Sequence, residues 1–243
     1  FVKLLNDDVS VVDTLDDRLV SYADALVVVG SDDSVRAVEA RFPVGTPTLG
    51  FGHKTSVAIV TPDVDVAALA LDVTLFDQQG CMSPREILLV GTPDDAVRLA
   101  EALAVHFSKL GPRFPLDVAV EAALRTQRDE AQLRGRTVLG PDDLQWTILV
   151  EEGGRWCGTP GGRSVVVRSV PDPDSAVFAL LSCGRHLTAV ALSGVTLSQS
   201  ARERLAQRGV SRLTRPGQLQ AVPPSWVHDG RRPLASLCRW MDG

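Results

Sequence analysis

The sequence has little cysteine, little lysine and no long apolar run, and each shortage excludes a class of protein. Its four cysteines, in 243 residues, are too widely spaced for a dense disulfide framework or a CxxC metal knuckle. Only three of the 25 basic residues are lysines. The basic residues are spread along the chain and form no stripe that could neutralise a run of phosphates, so we expect no nucleic-acid partner. No apolar run approaches the roughly 20 residues that cross a bilayer. The opening residues also lack a leader pattern, and we expect a cytoplasmic protein without a membrane span.

The composition that remains is typical of a globular α/β protein. The net charge is −5, 44% of the residues are hydrophobic and 23% are charged, which provides for a sizeable core. The pattern of strands and helices starts directly at Phe1. We therefore expect the chain to begin inside a domain.

Short β-branched runs alternate with segments of helical spacing, which is typical of a parallel sheet covered by helices. Residues 116–133 predict one of the helices, with Val118, Ala122 and Leu133 facing inward. Glycine-containing segments at 140–143 and 153–162 predict hairpin turns. The remaining predicted strands are 9–12, 25–29, 55–60, 87–90, 148–151, 164–170 and 188–192, and the remaining helices are 15–22, 35–42, 63–75, 94–106 and 198–208.

Cys81 is the strongest candidate for chemistry. It follows Gly80 in a short segment between a predicted helix and a predicted strand. A nucleophilic thiolate needs exposure and a lowered pKa, which backbone N–H groups around such a turn help to supply. The glycine lets a substrate carbonyl approach the backbone, and the N–H of Cys81 is a candidate donor to an oxyanion. The alternative is a buried structural cysteine.

The segment around this cysteine resembles a known nucleophile segment. Residues 76–84, FDQQGCMSP, are similar to the acyl-CoA reductase branch of the aldehyde dehydrogenase superfamily, the fatty-acid reductase component of bacterial luminescence systems. Three further stretches resemble that branch in the same order. They are residues 23–31, which end in a Gly-Ser turn, residues 49–60, which contain LGFGHKTS, and the closing stretch from 209 to 240.

The resemblance implies a fold, a reaction and a set of site residues. The fold is aldehyde-dehydrogenase-like α/β, with the C-terminal part of a doubly wound dinucleotide-binding domain at 1–60, a catalytic domain at 61–210 and a tail at 211–243. Cys81 would be the nucleophile, Gln79 and Gly80 would contact substrate, and Gly30 and Ser31 would contact NADP. The reaction would be reduction of a fatty acyl-CoA by NADPH through an S-acyl-cysteine. A homo-oligomer and an acyl-protein synthetase partner are also implied.

Two features leave alternatives open. Gly50 stands where hydrolytic aldehyde dehydrogenases carry a water-activating glutamate, which fits either a reductase or an inactive copy. An NAD(P)-dependent aldehyde dehydrogenase, which would use the same thiol but release acid, and a truncated, non-catalytic binding module stay as alternatives. The Gly30–Ser31 turn is equally explained as an ordinary helix cap at Ser31 or Asp32, and the charges of Asp32 and Asp33 oppose a phosphate.

The remaining polar clusters carry weaker hypotheses. His228 and Asp229 form either an orienting pair or a polar loop beside Trp226. An arginine cluster is typical of a solvated helix face, with coenzyme A phosphates as the alternative. Its members are Arg125, Arg128, Arg134 and Arg136. Cys183 and His186 have no further ligands nearby in sequence, and we predict no metal site.

Overall fold

The computed structural model describes residues 11–153 and 158–237, which form two compact units. One unit comprises residues 11–53 and 231–237, and the other comprises residues 54–153 and 158–230. The functional division into 1–60, 61–210 and 211–243 stays a prediction.

The first unit is built on a two-stranded parallel sheet. Val28, Val35, Leu49 and Phe51 are buried and form its small core. Its elements are α1 (Asp17–Tyr22), β1 (Leu26–Val29), α2 (Asp32–Glu39), β2 (Thr48–Phe51) and a short helix, Pro233–Leu237. β1 and β2 pair in register from Leu26 opposite Thr48 to Val29 opposite Phe51.

The second unit contains a seven-stranded sheet in the order β5-β6-β7-β4-β3-β8-β9, in which only β5 is antiparallel to its neighbour. Its strands are β3 (Thr55–Val60), β4 (Pro84–Val90), β5 (Val138–Leu139), β6 (Thr147–Glu152), β7 (Ser164–Val170), β8 (Leu187–Ser193) and β9 (Arg212–Thr214). Its helices are α3 (Val66–Thr74), α4 (Pro93–Phe107), α5 (Val118–Leu133), α6 (Pro173–Leu180) and α7 (Gln199–Gln207).

The central strands are buried on both faces, which explains their continuous apolar sequences. Every residue of β3 is buried. Ala58 and Val60 pack on one face with side chains of α3 and α4, whereas Val57 and Ile59 pack on the other with side chains of α6 and α7. The unit is therefore a three-layer α/β structure, as the alternating pattern predicts.

Capping residues set where the helices begin. Thr92 and Asp95 form a capping box at the start of α4, with Pro93 at its first position. The predicted helix at 63–75 starts later, at Val66, because the Asp65 carboxylate accepts a bond from the amide of Ala68 at 3.0 Å.

One of the two predicted hairpins is confirmed and the other is wrong. Residues 140–143 join β5 to β6, which pair antiparallel. Residues 153–162 lie between β6 and β7, but these strands run parallel, so the connection crosses over instead of forming a hairpin. Within it, residues 154–157 lie outside the described residues.

Several other predictions differ from the structure. In α5, all three residues predicted to face inward, Val118, Ala122 and Leu133, are exposed, and Leu124 and Ala131 are buried instead. The predicted strand at 9–12 begins outside the described residues, and Val11 and Val12 form no strand. The sequence patterns did not predict β2, β5, α6, β9 or the short helix Pro233–Leu237. Of these, α6 carries a recognisable start, since Asp172 caps it and Pro173 opens it.

Candidate active site

Cys81 lies in a tight segment between α3 and β4, residues 75–83, which we call the cysteine turn. The segment opens with a tight turn, Leu75–Gln78, and ends where Pro84 starts β4. Cys81 is a free, half-buried thiol that packs beside the core cluster under α3 and α4. Its carbonyl accepts a bond from the hydroxyl of Ser56, in β3, at 2.8 Å. Cys81 is thus fixed at the amino ends of two central strands.

The backbone of the cysteine turn is strained at three consecutive residues. Phe76, Asp77 and Gln78 have φ values of 55°, 52° and 62°, in the left-handed region that side-chain-bearing residues rarely adopt. Such residues cost roughly 1–3 kcal/mol each and persist where the surroundings fix them, most often at functional sites. The strain therefore supports a functional role for this segment.

The Asp77 carboxylate fixes the middle of the turn by bonds to residues outside it. It accepts a bond from Nε of Arg163 at 2.7 Å and another from the amide of Phe114 at 2.8 Å. Arg163 and Asp77 form an ion pair whose side chains are only 10% and 11% exposed. Because both charges are largely removed from water, loss of either partner would leave a costly buried charge.

Gln78, the next residue of the turn, is held by three hydrogen bonds of its side chain. Its Nε2 donates to the carbonyls of Pro84 at 2.8 Å and Ser164 at 2.6 Å. Its Oε1 accepts from the amide of Ser164 at 2.8 Å. Gln78 is buried, so its full set of partners ties the turn to the first residues of β4 and β7.

Gln79 and Gly80, the two predicted substrate contacts, are on the accessible side of the turn. Gln79 is exposed and its amide donates to the carbonyl of Phe76 at 3.0 Å. Gly80 is half-buried, and its carbonyl accepts from the amide of Ser83 at 3.1 Å. A Cβ on Gly80 would approach no neighbouring atom more closely than 3.5 Å. Both residues have room beside them, and their contact with substrate stays a prediction.

The electrostatics of Cys81 correct one expectation. Burial raises the pKa of the thiol above 9.0, and the negative charge of Asp229 raises it further. A hydrogen bond from the cysteine's own backbone amide and the charge of Lys54 act in the opposite direction on this pKa but do not prevail. The expected lowered pKa is therefore wrong for this structure, because desolvation outweighs the N–H donors of the turn. Cys81 is a protonated thiol at neutral pH.

Asp229 and His228 are oriented by different neighbours. Asp229 accepts a hydrogen bond from the hydroxyl of Thr188 at 3.0 Å and has a positive φ of 49°. The ring of His228 stacks on Trp226, with centroids 4.5 Å apart. Trp226 also packs against the core cluster that includes Cys81. The stacking of His228 on Trp226 fits the interpretation as a polar loop, the orienting pair stays a prediction, and Asp229 acts on the thiol through its charge.

In the first unit, Ser31 caps α2 as one of the two interpretations predicts. Its hydroxyl accepts from the amide of Ser34 at 3.1 Å, and Gly30 and Ser31 are exposed at the positive end of the helix dipole. The acidic residues beside them have partners, since Asp32 accepts from the amide of His53 at 2.7 Å and Asp33 pairs with Arg36. The turn thus fits a dinucleotide diphosphate in exposure and dipole, with the neighbouring carboxylates partly compensated.

Gly50 has no room for a side chain. A Cβ at this position would lie 2.5 Å from Cγ1 of Val35 and 2.5 Å from Oε1 of Glu39, both in α2. A glutamate at position 50 would therefore require the side chains of Val35 and Glu39 to shift. The packing of the first unit thus disfavours a larger residue at this position.

The arginine cluster bonds to the protein itself. The Arg125 guanidinium pairs with Glu121 at 2.7 Å, and that of Arg128 donates to the carbonyl of Pro141 at 2.7 Å. Arg134 and Arg136 both pair with Glu151. These contacts favour a structural role for the cluster over contact with coenzyme A.

Across the described ranges, no group of three or more His, Cys, Asp or Glu residues is arranged to hold a metal ion. None of the helices in those ranges has the length and apolar character needed to cross a membrane.

The sequence matches the acyl-CoA reductase (LuxC) family over residues 3–240. The chain belongs to this family. Among curated LuxC-like proteins, the long-chain acyl-protein thioester reductase of Aliivibrio fischeri is 26% identical over 234 residues, which are 94% of this chain and 48% of that protein. The protein of the same name from Photobacterium phosphoreum is 26% identical over 97% of this chain and 48% of its own length. The chain spans about half the length of these relatives.

Solved structures place this LuxC-family chain in the aldehyde dehydrogenase fold. An NADP-dependent glyceraldehyde-3-phosphate dehydrogenase from Bacillus halodurans C-125, complexed with NADP, gives a TM-score of 0.65 at 15% identity. The match covers 91% of this chain and 52% of that protein. An oxidoreductase from Marinobacter aquaeolei gives 0.64 at 14% identity, over 85% of this chain and 48% of that one. The predicted fold class is confirmed.

The sequence of this LuxC-family chain pointed to Cys81 as the candidate nucleophile but did not indicate the contacts around it. The folding of the second unit brings three residues to the cysteine turn that are far from Cys81 in sequence. Arg163 pairs with Asp77 in the turn, and the charges of Lys54 and Asp229 act on the Cys81 thiol. Lys54 and Asp229 stood in segments that the resemblance had marked, whereas Arg163 carried no signal. A pattern along the chain does not indicate which of these charges acts on the thiol.

Proposed function

We propose that this chain carries the nucleophile of an NADP-dependent reductase that converts a fatty acyl thioester, such as an acyl-CoA, into a fatty aldehyde. The observation that carries the proposal is the strained cysteine turn, which Asp77 and Gln78 fix so that Cys81 stands at the start of β4. The family match and the names of the relatives support the thioester as the substrate class. The relatives are named for acyl-protein thioesters, and the same thiol exchange serves both carriers.

In the first step, the sulfur of Cys81 attacks the carbonyl carbon of the thioester. The bond from that carbon to the carrier sulfur then breaks, and the proton lost by Cys81 ends on the departing thiol. The product is an S-acyl cysteine at position 81. Because the thiol is protonated at rest, the attack depends on deprotonation when substrate is in place.

In the second step, the acyl carbon is reduced and released. Gly30 and Ser31 are the residues that would hold the diphosphate of NADPH, which when bound would supply the hydride. The amide of Cys81 would donate to the oxygen of the resulting hemithioacetal. The carbon–sulfur bond to Cys81 then breaks, the aldehyde leaves, and the cysteine recovers its proton.

The packing around Gly50 favours reduction over hydrolysis of the acyl-enzyme. An aldehyde dehydrogenase that releases acid needs a base to activate water. Position 50 holds no side chain, and one added there would meet the side chains of Val35 and Glu39. An aldehyde-oxidising enzyme is thus only the second candidate. Release of a carboxylic acid as the product would identify it.

Mass spectrometry of the intact protein after incubation with a long-chain acyl-CoA tests the proposal. We expect one acyl adduct, mapped to Cys81, that disappears when NADPH is added and aldehyde forms. The Cys81→Ser variant should take up no acyl group, whereas Cys183→Ser, which alters a buried free thiol, should label like the wild type. An adduct retained on Cys81→Ser, or lost from Cys183→Ser alone, would remove the assignment.

A further inference from the structure

A second loop of the same unit touches the cysteine turn. It follows β9, and we call residues 217–220 the support loop. Nε2 of Gln220 donates to Oγ of Ser83 at 2.7 Å, and Ser83 is fully buried. The Gln220 amide also lies beside Gly80, where an added Cβ would be 3.5 Å from its Oε1. Since Ser83 bonds to the Gly80 carbonyl, Gln220 contacts the turn on both sides of Cys81.

The support loop is itself fixed from beneath. The carboxylate of Asp72, in α3, accepts bonds from the amides of Gly217 at 2.7 Å and Leu219 at 3.2 Å. The side chain of Asp72 is buried, and so is Leu219. Arg212, at the start of β9, donates to the carbonyl of Gln218 at 2.8 Å. The loop therefore presents Gln220 from a position that does not depend on the cysteine turn.

We propose that Gln220 is a positioning residue, which holds the cysteine turn at Ser83 and Gly80 so that the Cys81 sulfur meets a bound carbonyl in the orientation required for acyl transfer. The inference rests on the proposed function, in which Cys81 is the nucleophile. Its physical basis is that a reacting pair loses rate steeply when its geometry is displaced, even by a change that leaves the fold intact. Gln220 makes no contribution to the charge of the site.

The chain offers a matched pair of variants. Gln220→Met keeps the length of the side chain and removes the amide that bonds to Ser83. Gln218→Met makes the same change two residues earlier, where the side-chain amide donates only to the neighbouring carbonyl of Gly217. Ser83→Ala removes the other partner of the bond. Two rates are measured on each protein: acyl transfer from an acyl-CoA to Cys81, and alkylation of Cys81 by iodoacetamide.

We expect acyl transfer to fall about five- to tenfold in Gln220→Met and in Ser83→Ala, the size of effect that one lost hydrogen bond produces. The double variant should fall no further, because both changes remove one bond. Alkylation should stay within about twofold, since this reagent needs no positioned carbonyl. Gln218→Met should match the wild type in both rates.

Wild-type acyl transfer in Gln220→Met, losses that multiply in the double variant, or an equal fall in alkylation would each overturn the positioning role. If the wild type takes up no acyl group, the proposed function fails and hydrogen exchange decides the inference. Faster amide exchange across residues 75–83 in Gln220→Met than in Gln218→Met would then support the positioning role. Equal exchange in the two variants would refute it.

Discussion

At the level of single residues, Cys81 is placed where two opposing effects set its reactivity. Its partial burial disfavours the thiolate, and Asp229 adds a like charge, whereas Lys54 favours the thiolate. Lys54 is held in place by a bond from its ammonium to the carbonyl of Arg185 at 2.8 Å. A thiol that keeps its proton at rest is less open to oxidation than a standing thiolate, since oxidants attack the ionised form.

Neutralising Asp229 should lower the pKa of Cys81, and neutralising Lys54 should raise it. Asp229→Asn keeps an acceptor for the Thr188 hydroxyl and removes the negative charge, so we expect a lower pKa of Cys81 and about threefold faster alkylation at pH 8. Lys54→Gln should raise the pKa and slow the reaction. Iodoacetamide labelling of Cys81 followed by peptide mass spectrometry from pH 7 to 10 measures both. Profiles that coincide with the wild type would contradict the electrostatic assignment.

Among the elements, the cysteine turn and α3 use polar side chains to hold backbone conformations that the chain would not adopt unaided. Asp77 and Gln78 satisfy a left-handed turn, and Asp72 carries a carboxylate into the core to hold the support loop. Burial raises the pKa of Asp72 to about 6, although the bonds from Gly217 and Leu219 and the charge of Arg212 lower it. Ionised Asp72 therefore holds the loop at a cost in folding free energy.

This cost predicts a pH dependence of stability. The Asp72 carboxyl has a pKa of about 6 in the fold against an ordinary value of 3.8, so the folded state binds the proton more tightly than the unfolded chain does. Its contribution to stability is complete below pH 3.8 and is lost as the pH rises through about 6. Urea unfolding of the wild type and Asp72→Asn measures it. Between pH 4.5 and 7, we expect the wild type to lose about 2 kcal/mol relative to the variant; a constant difference would show that Asp72 has an ordinary pKa.

At the scale of the whole molecule, the two units differ greatly in what they can stabilise alone. The second has a seven-stranded sheet with apolar clusters on both faces. The described part of the first has two strands and a small core, and Val27 and Val29 of β1 are 53% and 79% exposed. Dinucleotides usually bind across the crevice of a larger parallel sheet, and two strands by themselves are marginal.

We therefore expect the 243-residue polypeptide to bind NADPH weakly, with a Kd above about 100 µM by isothermal titration calorimetry. The reason is that α2 offers its positive end to the diphosphate beside two carboxylates, Asp32 and Asp33. Ser31→Ala serves as the companion measurement, because it removes the hydroxyl at the turn. A submicromolar complex would contradict the expectation and show that the first unit holds the cofactor unaided.

The sequence alone predicted the central strands and most helices correctly, and it singled out Cys81 as the candidate nucleophile. Continuous runs such as residues 55–60 and 164–170 matched their strands because strands buried on both faces must be apolar throughout. The resemblance of residues 76–84 could point to Cys81 because a nucleophile segment is local in the chain, and the role of Cys81 stays a prediction. Boundaries shifted by a few residues where a cap such as Asp65 decided the first helical turn.

The contacts that hold Cys81 and the pKa of its thiol depend on the tertiary structure. The parallel pairing of β6 and β7 overturned a hairpin that glycine spacing predicted, because strand direction depends on the rest of the sheet. Arg163, Asp229 and Gln220 reach the site from 82, 148 and 139 residues away (163 − 81, 229 − 81 and 220 − 81). Desolvation and Coulomb effects act through space, and so the raised pKa of Cys81 follows from packing and not from the order of the residues.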